Sequence, residues 1–213
     1  SILVVLGAAA VLSGSTVAIF QHNIKRMLGY SSVAQIGYMI LGISLASVSG
    51  LTATLVHLLN HALMKGGLFL ALACMAFQLG GTRLVDLAGA GRRMPWTSAA
   101  FVVGGLSLIG VPLTAGFVSK WLLVVAVLEA GWWPVLIVIA VGSLLAVAYI
   151  WRVIEMIYFR SATNPDENSE ETHWSLLAPV WLLIAANSYV GIDTQWSVDV
   201  ARLAAQLLFG VHA

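Results

Sequence analysis

The sequence predicts an all-α protein threaded several times through a membrane. Three observations carry that expectation. Of 213 residues, 60% are hydrophobic and 9% are charged, against about 25% charged in an ordinary soluble domain. Mean hydropathy is +0.96. The apolar residues fall in runs of bilayer length, which for a helix is about 20 residues. The formal net charge is +1, which argues neither for nor against an ionic partner; no nucleic acid is expected. Cys74 stands alone in an apolar run and reads as a small buried residue, with no disulfide framework. No Gly-rich phosphate loop, metal-ligand spacing or nucleophile–base set is present, so no catalytic residue, metal or cofactor is expected.

The chain opens at Ser1 already inside an apolar run, with neither a start methionine nor a charged leader. Further residues are therefore expected upstream. Residues 2–20 form the first expected span. A short polar loop holding Lys25 and Arg26 follows. Residues 27–46 form the second span, with Ser31, Gln35 and Tyr38 on one face as polar glue or as holders of pathway water.

Residues 51–79 form the third span. Within it His57, His61 and Lys65 are spaced four apart, each rotated about 40° from the last, which makes one titratable stripe. Lys65 lies near the middle of the run. A lysine there costs about 2.5–3.5 kcal/mol on insertion scales, and its stem is too short to reach either interface. It implies a polar partner or a wet cavity. His57 and His61 would be ordinary packed histidines in isolation. Beside Lys65 they read as proton carriers, because imidazole titrates near neutral pH.

Residues 80–93 are a loop containing Arg83, Asp86, Arg92 and Arg93. The fourth apolar run, 96–128, is interrupted by Gly110, Pro112 and Gly116. Pro112 has no N–H, and its ring clashes with the carbonyl four residues back. Irregular backbone at membrane depth survives only where it is buried in protein or lines a cavity. Lys120 follows within two turns, so a helix break and a second intramembrane lysine coincide. Broken helices of this kind mark ion sites in transporters.

Residues 135–159 form the fifth span, preceded by Trp132 and Trp133 as interfacial aromatics. Arg152 and Glu155 are expected to pair near its end, with a role in relaying charge left open. Residues 161–173 are expected to be a solvated polar loop with Asp166, Glu167, Glu170 and Glu171. Residues 174–191 form the sixth span. In 193–210, Trp196, Val200, Leu203, Leu207 and Leu208 share one face and polar residues the other, which predicts an amphipathic helix lying at the membrane interface. Lys25, Arg26, Arg83, Arg92, Arg93 and Arg160 all fall in the loops after the first, third and fifth spans, which predicts that those loops are cytoplasmic.

Three stretches carry a family resemblance. QHNIKRMLGYSSVAQIGY (21–38), HLLNHALMKGGLFL (57–70) and GVPLTAGFVSK (110–120) are similar to motifs of the antiporter-like subunits of Mrp-type cation/proton antiporters, respiratory complex I and membrane-bound hydrogenases. The wording of 57–65 most resembles the D-type Mrp subunit. The resemblance implies a fourteen-span protein with two inverted five-helix repeats. This chain would be the second repeat, 1–160, plus the last span. Lys65 would be the central lysine of helix eleven, with His57 and His61 beside it. Lys120 would lie in broken helix twelve, in the half-channel that opens outward. The first repeat is absent from the sequence, so a complete proton path needs a longer chain or a second polypeptide.

The expected function is therefore a secondary transporter subunit in a bacterial inner membrane. It would move protons through Lys65, Lys120, His57 and His61, coupled to Na⁺, among other membrane subunits that include the missing N-terminal half. Lys25 is expected at most to set topology or to serve the pathway. The alternatives are a non-redox subunit of complex I or a hydrogenase, and a scaffold subunit that conducts nothing.

Overall fold

Polar residues, rather than the edges of the apolar runs, decide where several helices begin. The computed structural model describes residues 2–161 and 170–210. Among these, α1 spans Ile2–Phe20, α2 Ile24–Ser44, α3 Val48–Leu79, α4 Ala90–Arg93, α5 Pro95–Ile109, α6 Ala115–Glu129, α7 Trp133–Phe159, α8 Trp174–Ile192 and α9 Gln195–Leu208. The chain is a polytopic helical membrane protein. Among the described residues α1, α3, α7 and α8 are long and apolar enough to cross a bilayer by length and composition, and α5 is a shorter apolar helix.

The second helix starts earlier than its apolar run suggests. Asn23 is the N-cap of α2, and its side chain accepts from Arg26 N, which satisfies one of the orphan donors of a helix start. Lys25 and Arg26 therefore sit in the first turn of α2 and not in a loop, and both are exposed. With 21 residues α2 is long enough to span, yet it is less apolar than its neighbours. Its polar residues Ser31, Gln35 and Tyr38 are buried against protein, with exposures of 0%, 1% and 2%.

The segment expected as a loop at 80–93 is partly ordered. It holds a 3-10 turn, Leu84–Leu87, and the single-turn α4. Ile24 N donates to Thr82 O and Leu84 N to His22 O, while Gly89 N donates to Met156 O. These bonds gather the α1–α2 turn, the α3–α5 connection and the end of α7 at one end of the bundle. Glu171 joins them there. Its carboxylate accepts from Trp96 N at 2.7 Å, Thr97 N at 3.4 Å and Thr97 Oγ1 at 2.6 Å. A negative charge on free N–H groups at a helix start is stabilising. Glu171 is thus the cap of α5, contrary to the expectation of a solvated residue. Asp166 and Glu167 lie outside the described residues. Glu155 bonds Arg160 at 2.7 Å in place of the expected Arg152.

Helix α3 is the axis of the bundle and packs against α2, α5, α6, α8 and α9. The main core joins Met64, Leu68, Leu72 and Met75 of α3 to Phe101, Leu108, Tyr149, Ile150, Val153, Val180 and Ile184. At the other end of the bundle, α9 lies against α3 along a strip of small residues, Ser197, Ala201 and Ala205, all buried. Its apolar residues Trp196, Val200, Leu203, Leu207 and Leu208 are exposed.

Candidate functional site

The fourth apolar run is two helices. α5 ends at Gly110, whose φ of 91° lies in the left-handed region that favours glycine. Gly110 N donates to Leu106 O and Ser107 O, and Val111 N to Leu106 O. α6 starts after Thr114, whose hydroxyl accepts from Phe117 N. Two carbonyls at the end of α5 have no helical partner. The N–H that would serve Leu108 O belongs to position 112, which is proline.

Lys120 takes both carbonyls. Its Nζ donates to Leu108 O at 3.1 Å, to Ile109 O at 2.8 Å and to Ser143 Oγ at 3.3 Å. A cation at the C-terminal end of a helix meets the negative end of its dipole. The ammonium also lies 5.1 Å from the centre of the Tyr38 ring, within cation–π range. Only 7% of Lys120 is exposed.

Lys65 is 6% exposed and is held by α2. Its Nζ donates to Leu28 O at 2.7 Å and to the Ser31 hydroxyl. The Phe69 ring lies 5.9 Å away. Ser31 in turn donates to Leu28 O at 2.9 Å. Among the described residues, neither ammonium has a carboxylate within ion-pair distance.

The histidines lie between the two lysines. Lys65, His61 and His57 climb one face of α3 over about 12 Å, at 1.5 Å per residue. The His61 and His57 rings are stacked with centres 6.4 Å apart. His57 meets the Tyr38 ring edge-on at 5.9 Å, and its Nδ1 shares a hydrogen bond of 2.8 Å with Ser119 Oγ, next to Lys120. The structure therefore brings together Lys65, His61, His57, Tyr38 and Lys120 with Ser31, Gly110 and Gly116 among the residues singled out from sequence. Gln35 lies alongside, near Tyr149. Lys25 and the Arg152–Glu155 segment sit apart from it.

Several members of the site were missing from the sequence reading. Ser119 and Ser143 contact the relay directly, and Tyr149 is fully buried beside Ser31 and Gln35. Asn60 Nδ2 donates to Ala115 O at 2.7 Å. Ser107 Oγ accepts from Gly116 N at 3.2 Å and donates to Asn187 Oδ1 at 3.3 Å. A polar residue in a buried helix must find a hydrogen-bond partner. That rule flags Asn60 and Asn187 in the sequence without telling which helix they meet. Among the described residues no cluster of potential metal ligands occurs.

The fold and the site together define a helical membrane protein with a file of titratable side chains running through its interior beside a broken helix. The chain belongs to the NADH:quinone oxidoreductase/Mrp antiporter transmembrane family, whose sequence model matches residues 1–146. It is 46% identical over 165 residues to NADH-quinone oxidoreductase subunit N of Desulforudis audaxviator, covering 78% of this chain and 33% of that protein. It is 33% identical over 217 residues to subunit N of Chlorobium chlorochromatii, covering 100% of this chain and 42% of that one. Among solved structures it is similar to a chain of the Mrp complex from Dietzia sp., with a TM-score of 0.91, 26% identity and coverage of 98% of this chain and 47% of that chain. A chain of respiratory complex I from Thermus thermophilus matches with a TM-score of 0.76, 29% identity and coverage of 92% and 44%. The chain thus spans less than half the length of these relatives.

Proposed function

We propose that this chain carries a proton half-channel of an antiporter-like subunit in a bacterial cytoplasmic membrane, acting within a multisubunit respiratory complex of the NADH-quinone oxidoreductase type. The observation that carries the reading is the row Lys65–His61–His57–Ser119–Lys120, with both lysines, His57 and Ser119 buried in the interior of the bundle. Each member can give or take a proton. An ammonium in low dielectric is costly to keep charged, and a second positive charge nearby favours its release. A proton arriving at one lysine therefore promotes loss from the next. His57 and His61 stand where the proton must cross between α3 and α6. The curated relatives described above carry the subunit N name, which supports placing the respiratory assembly first.

A second reading is a subunit of an Mrp-type antiporter in which proton movement is coupled to Na⁺. The fold similarity to the Dietzia Mrp chain and the wording of residues 57–65 favour it. In both readings the rest of the path, with other membrane subunits, lies outside this chain, and the 21–23, 80–94 and 156–161 end faces the cytoplasm.

The test is proton translocation in everted membrane vesicles. Lys65→Ala and Lys120→Ala should each abolish it while the complex still assembles. Near-normal translocation in both variants would defeat the reading and leave the scaffold role. Dependence of wild-type translocation on NADH oxidation, as against a Na⁺ gradient, separates the two assemblies.

A further inference from the structure

Helix α8 lies beyond the family-matched residues 1–146, yet it reaches the helix break. Gly191 of α8 approaches the backbone of the break so closely that a Cβ there would stand 2.5 Å from Ala115 N and 2.7 Å from the Thr114 carbonyl carbon. One turn earlier on α8, Asn187 accepts from Ser107 Oγ, and that same oxygen accepts from Gly116 N. Asn187 and Ser107 are 1% and 0% exposed. A hydrogen-bonded chain thus runs from α8 through the last turn of α5 to the first turn of α6. The residues directly after Ser107 are Leu108 and Ile109, whose carbonyls hold Lys120. The stretch between the two helices carries backbone strain, because Leu113 has a φ of 71°, a region disfavoured for any side chain other than glycine's. Strained backbone persists only where its surroundings fix it.

We propose that Asn187 and Ser107 are positioning residues that lock the two half-helices together, so that the Leu108 and Ile109 carbonyls stay on Lys120 Nζ. α8 is then a clamp on the proton site as well as a membrane span. An asparagine that merely glued two helices would bond a neighbour anywhere along α8. This one bonds the hydroxyl that itself joins the halves of the break. The inference rests on Lys120 serving as a proton carrier, but the hold on its ammonium can be read without any proton moving.

The experiment is pulsed labelling of the intact complex in its native membrane with acetic anhydride, followed by mass spectrometry of the Lys120 and Lys65 peptides. Ser107→Ala, Asn187→Ala and the double variant are compared with wild type. Loss of one hydrogen bond in the lock should raise Lys120 acetylation about two- to tenfold, with Lys65 unchanged. The double variant should not exceed Ser107→Ala, which by itself already removes both bonds of the lock. Ser107→Ala removes a single oxygen and carries the test should Asn187→Ala fail to assemble. Unchanged Lys120 acetylation in the single variants, a parallel rise at Lys65, or an additive double variant would overturn the proposal. Failure of the proton-carrier reading shows up separately, as normal translocation in Lys120→Ala.

Discussion

Lys65 rises from the middle of α3, which runs unbroken from Val48 to Leu79, whereas Lys120 lies just past the break between α5 and α6. The two ammonium groups are equally buried but are held by different means. Helix α3 is unbroken around Lys65, which takes its oxygens from α2, one a carbonyl and one a hydroxyl. One of these, Leu28 O, also accepts from the Ser31 and Ser32 hydroxyls. A broken helix supplies carbonyls itself, and Lys120 receives two of them from α5 with a helix dipole behind them. The first site therefore leans on the Ser31 side chain beside one shared carbonyl, the second chiefly on the shape of the backbone.

That difference predicts opposite sensitivities. The largest effect should come from Gly116→Ala. A Cβ there would run into the Ser107 carbonyl, with the carbonyl carbon at 2.8 Å. The half-helices would have to part, at a cost of about 3 kcal/mol or more, the upper end of the overpacking range. Both the thermal stability of the complex and its proton translocation should fall. The matching change beside Lys65, Gly66→Ala, meets only the flexible Leu183 Cδ1 at 3.0 Å and should stay within about 0.5 kcal/mol of wild type. Equal damage from the two substitutions would break the contrast.

Next in size is Ser31→Ala. It removes the hydroxyl partner of Lys65, a charge-assisted bond worth about 1.5–3 kcal/mol, and should slow translocation about tenfold or more. The Lys120–Ser143 bond is long, at 3.3 Å, and Ser143→Ala leaves Lys120 its two carbonyls, so this variant should slow translocation by less than about threefold. Initial rates in everted vesicles, normalised to assembled complex, compare the pair. The smallest effect belongs to Pro112→Ala. It returns an N–H near Leu108 O, yet Gly110 still turns α5 off, so the rate should stay within about twofold of wild type, the scale of a surface change of about 0.5 kcal/mol. A large loss in that variant would move the origin of the break from Gly110 to Pro112.

The helical class, the apolar runs and the interrupted fourth run were legible because each rests on local composition: length, hydropathy, and glycine or proline. The start of α2 was displaced because its signal is Asn23, a cap that hydropathy does not register. Glu171 and Glu155 were misassigned because the identity of a charge's partner is a tertiary fact. The lysines and histidines stood out by their cost in a membrane. Ser119, Ser143 and Asn187 did not, since a serine or asparagine in an apolar helix is cheap enough to be ordinary until its neighbour is known. The face of α9 that binds α3 was hidden for a related reason, because its Ser197, Ala201 and Ala205 strip is neither the most apolar face nor the most polar.

The claim on which the rest depends is that Lys65 and Lys120 carry protons, beyond supplying positive charge. Arginine separates these roles, because it keeps the charge and the hydrogen-bond donors but does not deprotonate in proteins. The direct measurement is proton translocation by assembled complexes bearing Lys65→Arg or Lys120→Arg. The account predicts that both are as inactive as the alanine variants. Wild-type rates in either arginine variant would contradict it.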